Sequence, residues 1–349
     1  MNKHLKITSL VLVVLLLGTT IVLAGNKDRT GTAASPELLI PVGARGIALG
    51  GSAIASASGV DAIFWNPAGM VRSSNSFELM FSNMTYFADM NVVYAAAAIK
   101  AGSIGSFGLS LKSLSIGDIK ETTVDFPDGT GAVYSPSYVN LGLTYSTQLI
   151  DRVAIGTTLT YMSHSIESVS ETGFAMSFGI QYVGLGVQGL SLGVAIKNVG
   201  SSMRFEGSDL YQQATFVNNA NRPLEFLSIK AATYELPTML ELGVGYMYKM
   251  DDMSNLSLNG NYVSAGFGDD EYKLGAEYGY DNSLFVRGGY NLAPNAGNDA
   301  VGENSYLYSW AAGAGYKADL GGFVLQVDYT YQNMKIFNGN HVVTLTMSL

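Results

Sequence analysis

From Ser76 to the last residue the chain alternates apolar and polar side chains with period two, in fourteen stretches of about ten residues. In the clearest stretch Phe323, Leu325, Val327, Tyr329 and Tyr331 share one face, and Gln326, Asp328 and Thr330 share the other. Tyr272, Leu274, Ala276, Tyr278 and Tyr280 repeat the pattern against Lys273, Gly275, Glu277 and Gly279. Leu240, Leu242, Val244, Tyr246 and Tyr248 do so against Glu241 and two glycines. An even set of strands, each with one oily and one hydrophilic face, predicts a transmembrane antiparallel β-barrel. In hydrocarbon every backbone amide needs an internal partner, and a closed sheet supplies it without leaving an edge.

The strands are predicted at 76–87, 91–100, 104–114, 137–149, 153–165, 171–183, 189–199, 234–249, 253–264, 270–280, 282–291, 306–318, 321–333 and 339–348. Short links fall at 101–103, 150–152, 184–188, 250–252, 281–282 and 319–321, and all are even-numbered connections. The long ones, 115–136, 200–233 and 292–305, are all odd-numbered. Outer-membrane barrels have tight periplasmic turns and longer extracellular loops, so this parity predicts a periplasmic N-terminus and loops facing outward. Tyr145, Tyr161, Tyr248, Tyr280 and Tyr316, near strand ends, are expected in the interfacial girdles.

The first residues set the compartment. Lys3, His4 and Lys6 precede an apolar run from Leu10 to Leu17, and Val22-Leu23-Ala24 offers small residues for cleavage before Gly25. This reads as a secretory signal peptide over 1–24, too short in its apolar run to span a bilayer. With 41 glycines, 21 tyrosines and 13% charged residues, the composition suits a wall facing lipid. No cysteine occurs in the 349 residues, so disulfides and thiolate metal sites are excluded. Without Lys3 and Lys6 the chain keeps 17 basic and 28 acidic residues, a net charge of −11, which argues against nucleic acid as a partner.

Residues 25–75 do not alternate. Pro41 to Gly46, a small-residue run from Leu49 to Gly59, and Asp61 to Gly69 crowd Gly, Ala and Ser into a segment poor in charge. Such a segment suits close backbone packing in a confined space, so 25–75 is predicted to plug the lumen of a barrel formed by 76–349. Arg45 and Asp61 are the only charges between Glu37 and Arg72 and would need partners once buried. Each other and the inward-facing Glu241, Lys273, Glu277 and Arg287 are the candidates. Asn66-Pro67 is read as a turn rather than a binding element.

Gly43-Ala44-Arg45, Leu49-Gly50-Gly51 and Asp61-Ala62-Ile63-Phe64-Trp65-Asn66-Pro67-Ala68-Gly69 resemble the N-terminal signature of the PorV/PorQ family, which is related to the FadL-like transporters of hydrophobic compounds. The plug-motif residues are Gly43, Arg45, Gly50, Gly51, Asp61, Trp65, Asn66, Pro67, Ala68 and Gly69. The likeness extends to the closing strand, where His341 precedes Val343, Leu345 and Met347, although the chain ends on Leu349 where outer-membrane strands usually end on an aromatic residue. A PorV-like protein is implied to receive secreted cargo with type IX secretion components through extracellular loops and a plugged lumen. A FadL-like protein is implied to bind a fatty-acid-like or hydrocarbon ligand in the lumen and release it sideways through the wall. The closer plug match favours the first. Phe205, Tyr211 and Phe216, in the longest loop, are candidate contacts for cargo or ligand.

No catalytic or cofactor chemistry is expected. His4, His164 and His341 are far apart in sequence, which gives no metal cluster. In Ser163-His164-Ser165 neighbours point to opposite faces, so no hydrolytic triad follows. Asp269-Asp270-Glu271 lacks calcium-ligand spacing and is read as a solvated loop tip. A passive pore is disfavoured by the plug.

Overall fold

The computed structural model describes residues 27–214, 225–297 and 306–349, so the predicted leader at 1–24 and Phe216 lie outside the described residues. Fourteen strands form one closed wall: β1 Phe77–Thr85, β2 Asn91–Lys100, β3 Ser106–Ser115, β4 Ser137–Ile150, β5 Val153–Ile166, β6 Val169–Val183 and β7 Leu190–Gly200. The second half comprises β8 Met239–Lys249, β9 Ser254–Ala265, β10 Glu271–Tyr280, β11 Leu284–Leu292, β12 Tyr308–Asp319, β13 Val324–Met334 and β14 Asn340–Ser348. Each pairs antiparallel with its sequence neighbours, and β1 closes on β14 in a register running from Glu78 opposite Ser348 to Thr85 opposite His341. Among the described residues no helix is long and apolar enough to cross a membrane.

The period-two reading holds in detail. On β13, Asp328, Thr330 and Gln332 are buried inside the barrel while Val327 and Tyr329 are exposed outside. The alanine-rich β2 turns Val92, Tyr94, Ala96 and Ala98 inward, where small side chains leave room for the plug. Tyr248, Tyr280 and Tyr316 are exposed at the short-turn end. Tyr145, half-buried, packs on Phe107 at that end, and Tyr161 packs on Phe174 in the loop-side half.

Several strand ends differ from the sequence expectation. The strand predicted from 234 starts at Met239, because Pro237 has no amide to give to the ladder and Leu236 is buried against Ala34, Met162, Ala175 and Met203. The strand predicted to 87 ends at Thr85, where Phe87–Asp89 form a 3-10 turn with Ala88 and Asp89 in the left-handed region. Asp281 and Asn282 are both left-handed, a conformation these residues tolerate, and they make the tight turn between β10 and β11. The loops carry two small hairpins, Ile119–Lys120 with Val133–Tyr134 and Tyr211–Ala214 with Glu225–Ser228, and Glu206–Gly207 pairs onto β6.

The lumen is filled by residues 36–72, folded as short helical turns: Pro36–Leu39, Ala44–Ala48, Ala53–Ala55, Gly59–Asp61, Ala62–Trp65 and Pro67–Arg72. This segment enters at the long-loop end, where Arg29 pairs with Glu235 at 2.7 Å and stacks on Phe267, and descends to the short-turn end, where Arg72 donates to Arg152 O at 3.0 Å. The wall starts at Phe77 on the short-turn side and Arg29 lies on the long-loop side, because the plug crosses the whole barrel between them; the N-terminus itself lies outside the described residues.

Inward-facing glycines let the plug backbone touch the wall. A Cβ added at Gly289 of β11 would collide with the main chain of Gly50, itself left-handed with φ 65°, whereas one at Gly288 faces outward and meets nothing nearer than 4.0 Å. Gly289→Val is therefore expected to cost about 3 kcal/mol by overpacking, and Gly288→Val to be close to neutral. Urea unfolding midpoints of the two variants in lipid vesicles check this, and equal midpoints would count against the plug's seat.

Candidate functional site

The plug is fixed by wall side chains that satisfy its main chain. Thr344 Oγ1 accepts from Ala44 N at 2.8 Å, and Thr330 Oγ1 donates to Ala44 O at 2.7 Å. Gln181 Nε2 donates to Ile54 O and Ala57 O at 3.0 and 2.9 Å, and Ser146 Oγ donates to Ala68 O at 3.0 Å. Asn66 is fully buried and caps the turn Pro67–Arg72: its Oδ1 accepts from Ala68 N at 3.2 Å, while Nδ2 donates to Ile54 O at 2.9 Å and Ile180 O at 3.2 Å. Asn66, Pro67 and Ala68 lie directly against Gly156 and Gly179 of the wall, and Gly69 lies against Ala57 O. The element is thus a capped turn packed on the wall.

Arg45 lies at the centre of a buried charge layer. Its Nε and Nη2 donate to the two oxygens of Glu277 at 2.9 and 3.1 Å, and Nη1 is 3.7 Å from Asp61 Oδ2. Arg287, directly across the ladder from Glu277, donates to Glu277 Oε2 and Asp328 Oδ1, both at 2.5 Å. Of the four predicted lumen partners, Glu277 meets Arg45 directly and Arg287 backs it. Glu241 and Lys273 are not brought to this layer. Glu241 pairs with Lys197 at 2.8 Å and accepts from Asn261, and Lys273 pairs with Glu271 at 2.8 Å.

The layer holds three carboxylates and two guanidiniums. Asp61, with the longest contact, is the carboxylate left over: burial raises its pKa, Arg45 and Arg287 pull it down, Asp328 and Glu277 push it up, and the balance leaves it at about 6. A folded-state pKa above the unfolded value of 3.8 means that Asp61 stabilises the fold at acid pH and loses that contribution as pH rises through about 6.

Above this layer, on the loop side, lies a cavity of about 320 Å³. Its floor is Ile47, Gly51, Ile63, Phe64 and Trp65, and its walls include Tyr94, Lys112, Lys197, Glu241, Lys273 and Tyr308. Trp65 is buried, lies against Gly46 and meets Phe64 edge-on at 5.1 Å. Phe64 is half-buried between the ammonium groups of Lys112 and Lys197, 5.1 and 5.3 Å from its ring centre. Gly43 and Gly51 are left-handed and pack beside Asp61 and Trp65 respectively, and of the motif glycines Gly50 and Gly51 line the cavity. The lysines are already partnered, Lys112 by the main-chain oxygens of Glu37 and Ile40 at 2.6 and 2.5 Å. Among the described residues no group of three potential metal ligands occurs.

One sequence expectation fails here, and one cluster lies beyond it. Asp270 is buried rather than solvated, because residues 266–270 fold inward beside Arg29, and Asp269 and Glu271 line the cavity rim. His164 is buried with Glu37 and Glu171, a cluster the sequence reading missed. Burial works against ionisation of Glu37, yet hydrogen bonds from His164 and Asn140 outweigh it and hold the carboxyl below its usual range. Of the loop candidates, Tyr211 is exposed on its hairpin and Phe205 is half-buried.

No protein-family model matches the sequence, and no curated protein matches it. Solved structures do match the fold. The Pseudomonas putida toluene transporter TodX is 12% identical, with a TM-score of 0.54 over 87% of this chain and 96% of that one. The monoaromatic hydrocarbon channel CymD is 13% identical, with a TM-score of 0.52 over 89% and 97%. A Pseudomonas aeruginosa FadL homologue is 11% identical, with a TM-score of 0.51 over 88% and 98%. The fold is shared with these three structures; at this identity the likeness is one of fold, and it does not show the PorV/PorQ resemblance.

Replacing Asp61 by Asn removes the odd carboxylate. The unfolding free energy of Asp61→Asn relative to the wild type, followed by melting temperature in detergent, is expected to rise between about pH 4 and about pH 7, by on the order of 3 kcal/mol if the whole shift is realised. A difference that does not change with pH would remove Asp61 from this role.

Proposed function

We propose that the protein is an outer-membrane barrel that takes up a small apolar compound from the loop side into the cavity above its plug. The carrying observation is that cavity: about 320 Å³, floored by Phe64 and Trp65 and closed beneath by a hydrogen-bonded plug. Its volume is at the lower end of the ligand-pocket range, which suits one small molecule. Each ammonium at its wall already has a partner, and this favours an uncharged compound over a fatty-acid carboxylate. The names of the structures that share the fold, a toluene transporter and a monoaromatic hydrocarbon channel, agree with this reading.

Sideways release has a candidate place. Between β6 and β7 the register shifts at Met176 and Phe178, Asn198 is left-handed with φ 60°, and the neighbouring ladder begins only at Met239, after Pro237. Lys197, Asn198 and Pro237 also line the cavity, so one of the wall's irregular places lies against it.

The cargo-handling reading draws on the plug motif, and that motif is accounted for by packing. Gly50, Gly51 and Trp65 line the cavity, Gly43 lies beside Asp61, Arg45 sits in the charge layer, and Asn66 to Gly69 pack against the wall at the short-turn end. Lipid contacts the exposed apolar band of the wall, for example Leu109, Leu143 and Leu159.

The chain has two tryptophans, and Trp310 is exposed on the outer face. Trp310→Phe therefore leaves Trp65 as a single reporter at the cavity floor. Toluene is expected to change Trp65 emission saturably, while planar bilayers holding the protein stay nearly silent. A response that never saturates, or the steady conductance of an open pore, would sink this function. Recovery of secretion components in a pull-down together with an unresponsive Trp65 would favour the cargo reading.

A further inference from the structure

Glu37, on the first turn of the plug, points into the wall between β4, β5 and β6 and is 1% exposed. Its Oε1 accepts from Asn140 Nδ2 at 3.1 Å and lies 3.1 Å from His164 Nε2. The other ring nitrogen, His164 Nδ1, lies 3.0 Å from Oε1 of Glu171. A neutral imidazole has one donor and one acceptor nitrogen. Here both nitrogens face carboxyl oxygens, so the triad is satisfied only when it holds one proton more than a neutral ring and two carboxylates. Whether that proton completes an imidazolium or sits on one carboxyl, its loss sets two acceptors against each other in a buried site.

Two other charged or titratable groups face this point, one of them from a further strand. Lys112 of β3 is committed to the main-chain oxygens of Glu37 and Ile40, and the Tyr138 ring of β4 is 4.7 Å from the His164 ring. Lys112 can hold the turn's main chain but cannot replace the missing donor between His164 and its carboxylates.

We infer that Glu37, His164 and Glu171 form a proton-dependent clasp that holds residues 36–41 down as the lip of the cavity. Pro36, Leu38, Leu39, Ile40 and Pro41 all line the cavity, and Leu38 packs on the cluster of Ala34, Met162 and Met203. Release of this turn widens the mouth on the loop side, while Arg45, Asn66 and Gln181 keep the lower plug seated. The clasp stands on side-chain geometry and does not depend on which compound the cavity takes.

Hydrogen exchange on the full chain in detergent, corrected for the intrinsic effect of pH, tests this without any ligand. The reporters are the amides of Leu38 and Ile40, which bond to Ser35 O and Glu37 O, read against those of residues 66–72. Between about pH 6 and about pH 10, protection at Leu38 and Ile40 is expected to fall on the order of tenfold or more while that of 66–72 holds. In His164→Gln this pH dependence disappears. Invariant protection in the wild type, or the same fall in His164→Gln, overturns the clasp. If His164→Gln does not assemble, the ring nitrogen shifts of 15N-labelled wild type decide, with exposed His341 as reference. Titration of His164 together with the loss of protection supports the clasp, and titration without that loss overturns it.

Discussion

A barrel whose inner face is hydrophilic must hydrogen-bond whatever fills it, and here the filling is the chain's own beginning. The plug is made of turns of three to six residues, so its main chain satisfies few of its own groups. The wall supplies the rest through Thr330, Thr344, Ser146 and Gln181, and Asn66 returns the exchange by donating to the wall's Ile180 O. Wall and plug are therefore incomplete without each other, and the cavity is defined by where this mutual satisfaction stops.

The charge layer adds position to this attachment. Burying ions gains little net stability, but a wrong alignment leaves an uncompensated charge in a dry site, which is costly. Arg45 meets Glu277 through two parallel contacts, and Arg287 holds Glu277 from the opposite side. A plug shifted along the barrel by one helical turn would lose all of these together. The layer thus fixes the height of Phe64 and Trp65, and with it the depth of the cavity.

The wall was legible in sequence because its two faces meet different surroundings along its whole length, so the period survives in nearly every strand. Strand ends were less legible, since Pro237 and the turn at Phe87 act through the local backbone rather than through the alternation. The plug's existence followed from composition, and Glu277 stood among its candidate partners because the alternation turns it inward. Its direction did not, because nothing local shows that residues 27–34 sit beside Glu235 and Phe267. That is why Glu37, His164 and Glu171 went unread as a group: one belongs to the plug and two to the wall, and only the path of the chain brings them together. Glu241 and Lys273 were placed correctly on the inner face but have nearer partners in Lys197 and Glu271.

The packing grades from one end of the lumen to the other. At the short-turn end the plug backbone lies on glycines of the wall, with Asn66 to Ala68 against Gly156 and Gly179, and no space remains between them. At the loop end the bulky Phe64 and Trp65 face polar strand residues across open volume. Close backbone contact is rigid, because moving it would strand several buried hydrogen bonds at once, and Trp65 is held as closely against Gly46 and Gly51, whereas the half-buried Phe64 ring has room to rotate. A compound in the cavity would therefore meet a floor with one movable ring over an unyielding seal. While the seal holds, its ways out are back past residues 36–41 or across the irregular wall at Lys197 and Asn198, and both routes are set by the loop-side half of the barrel.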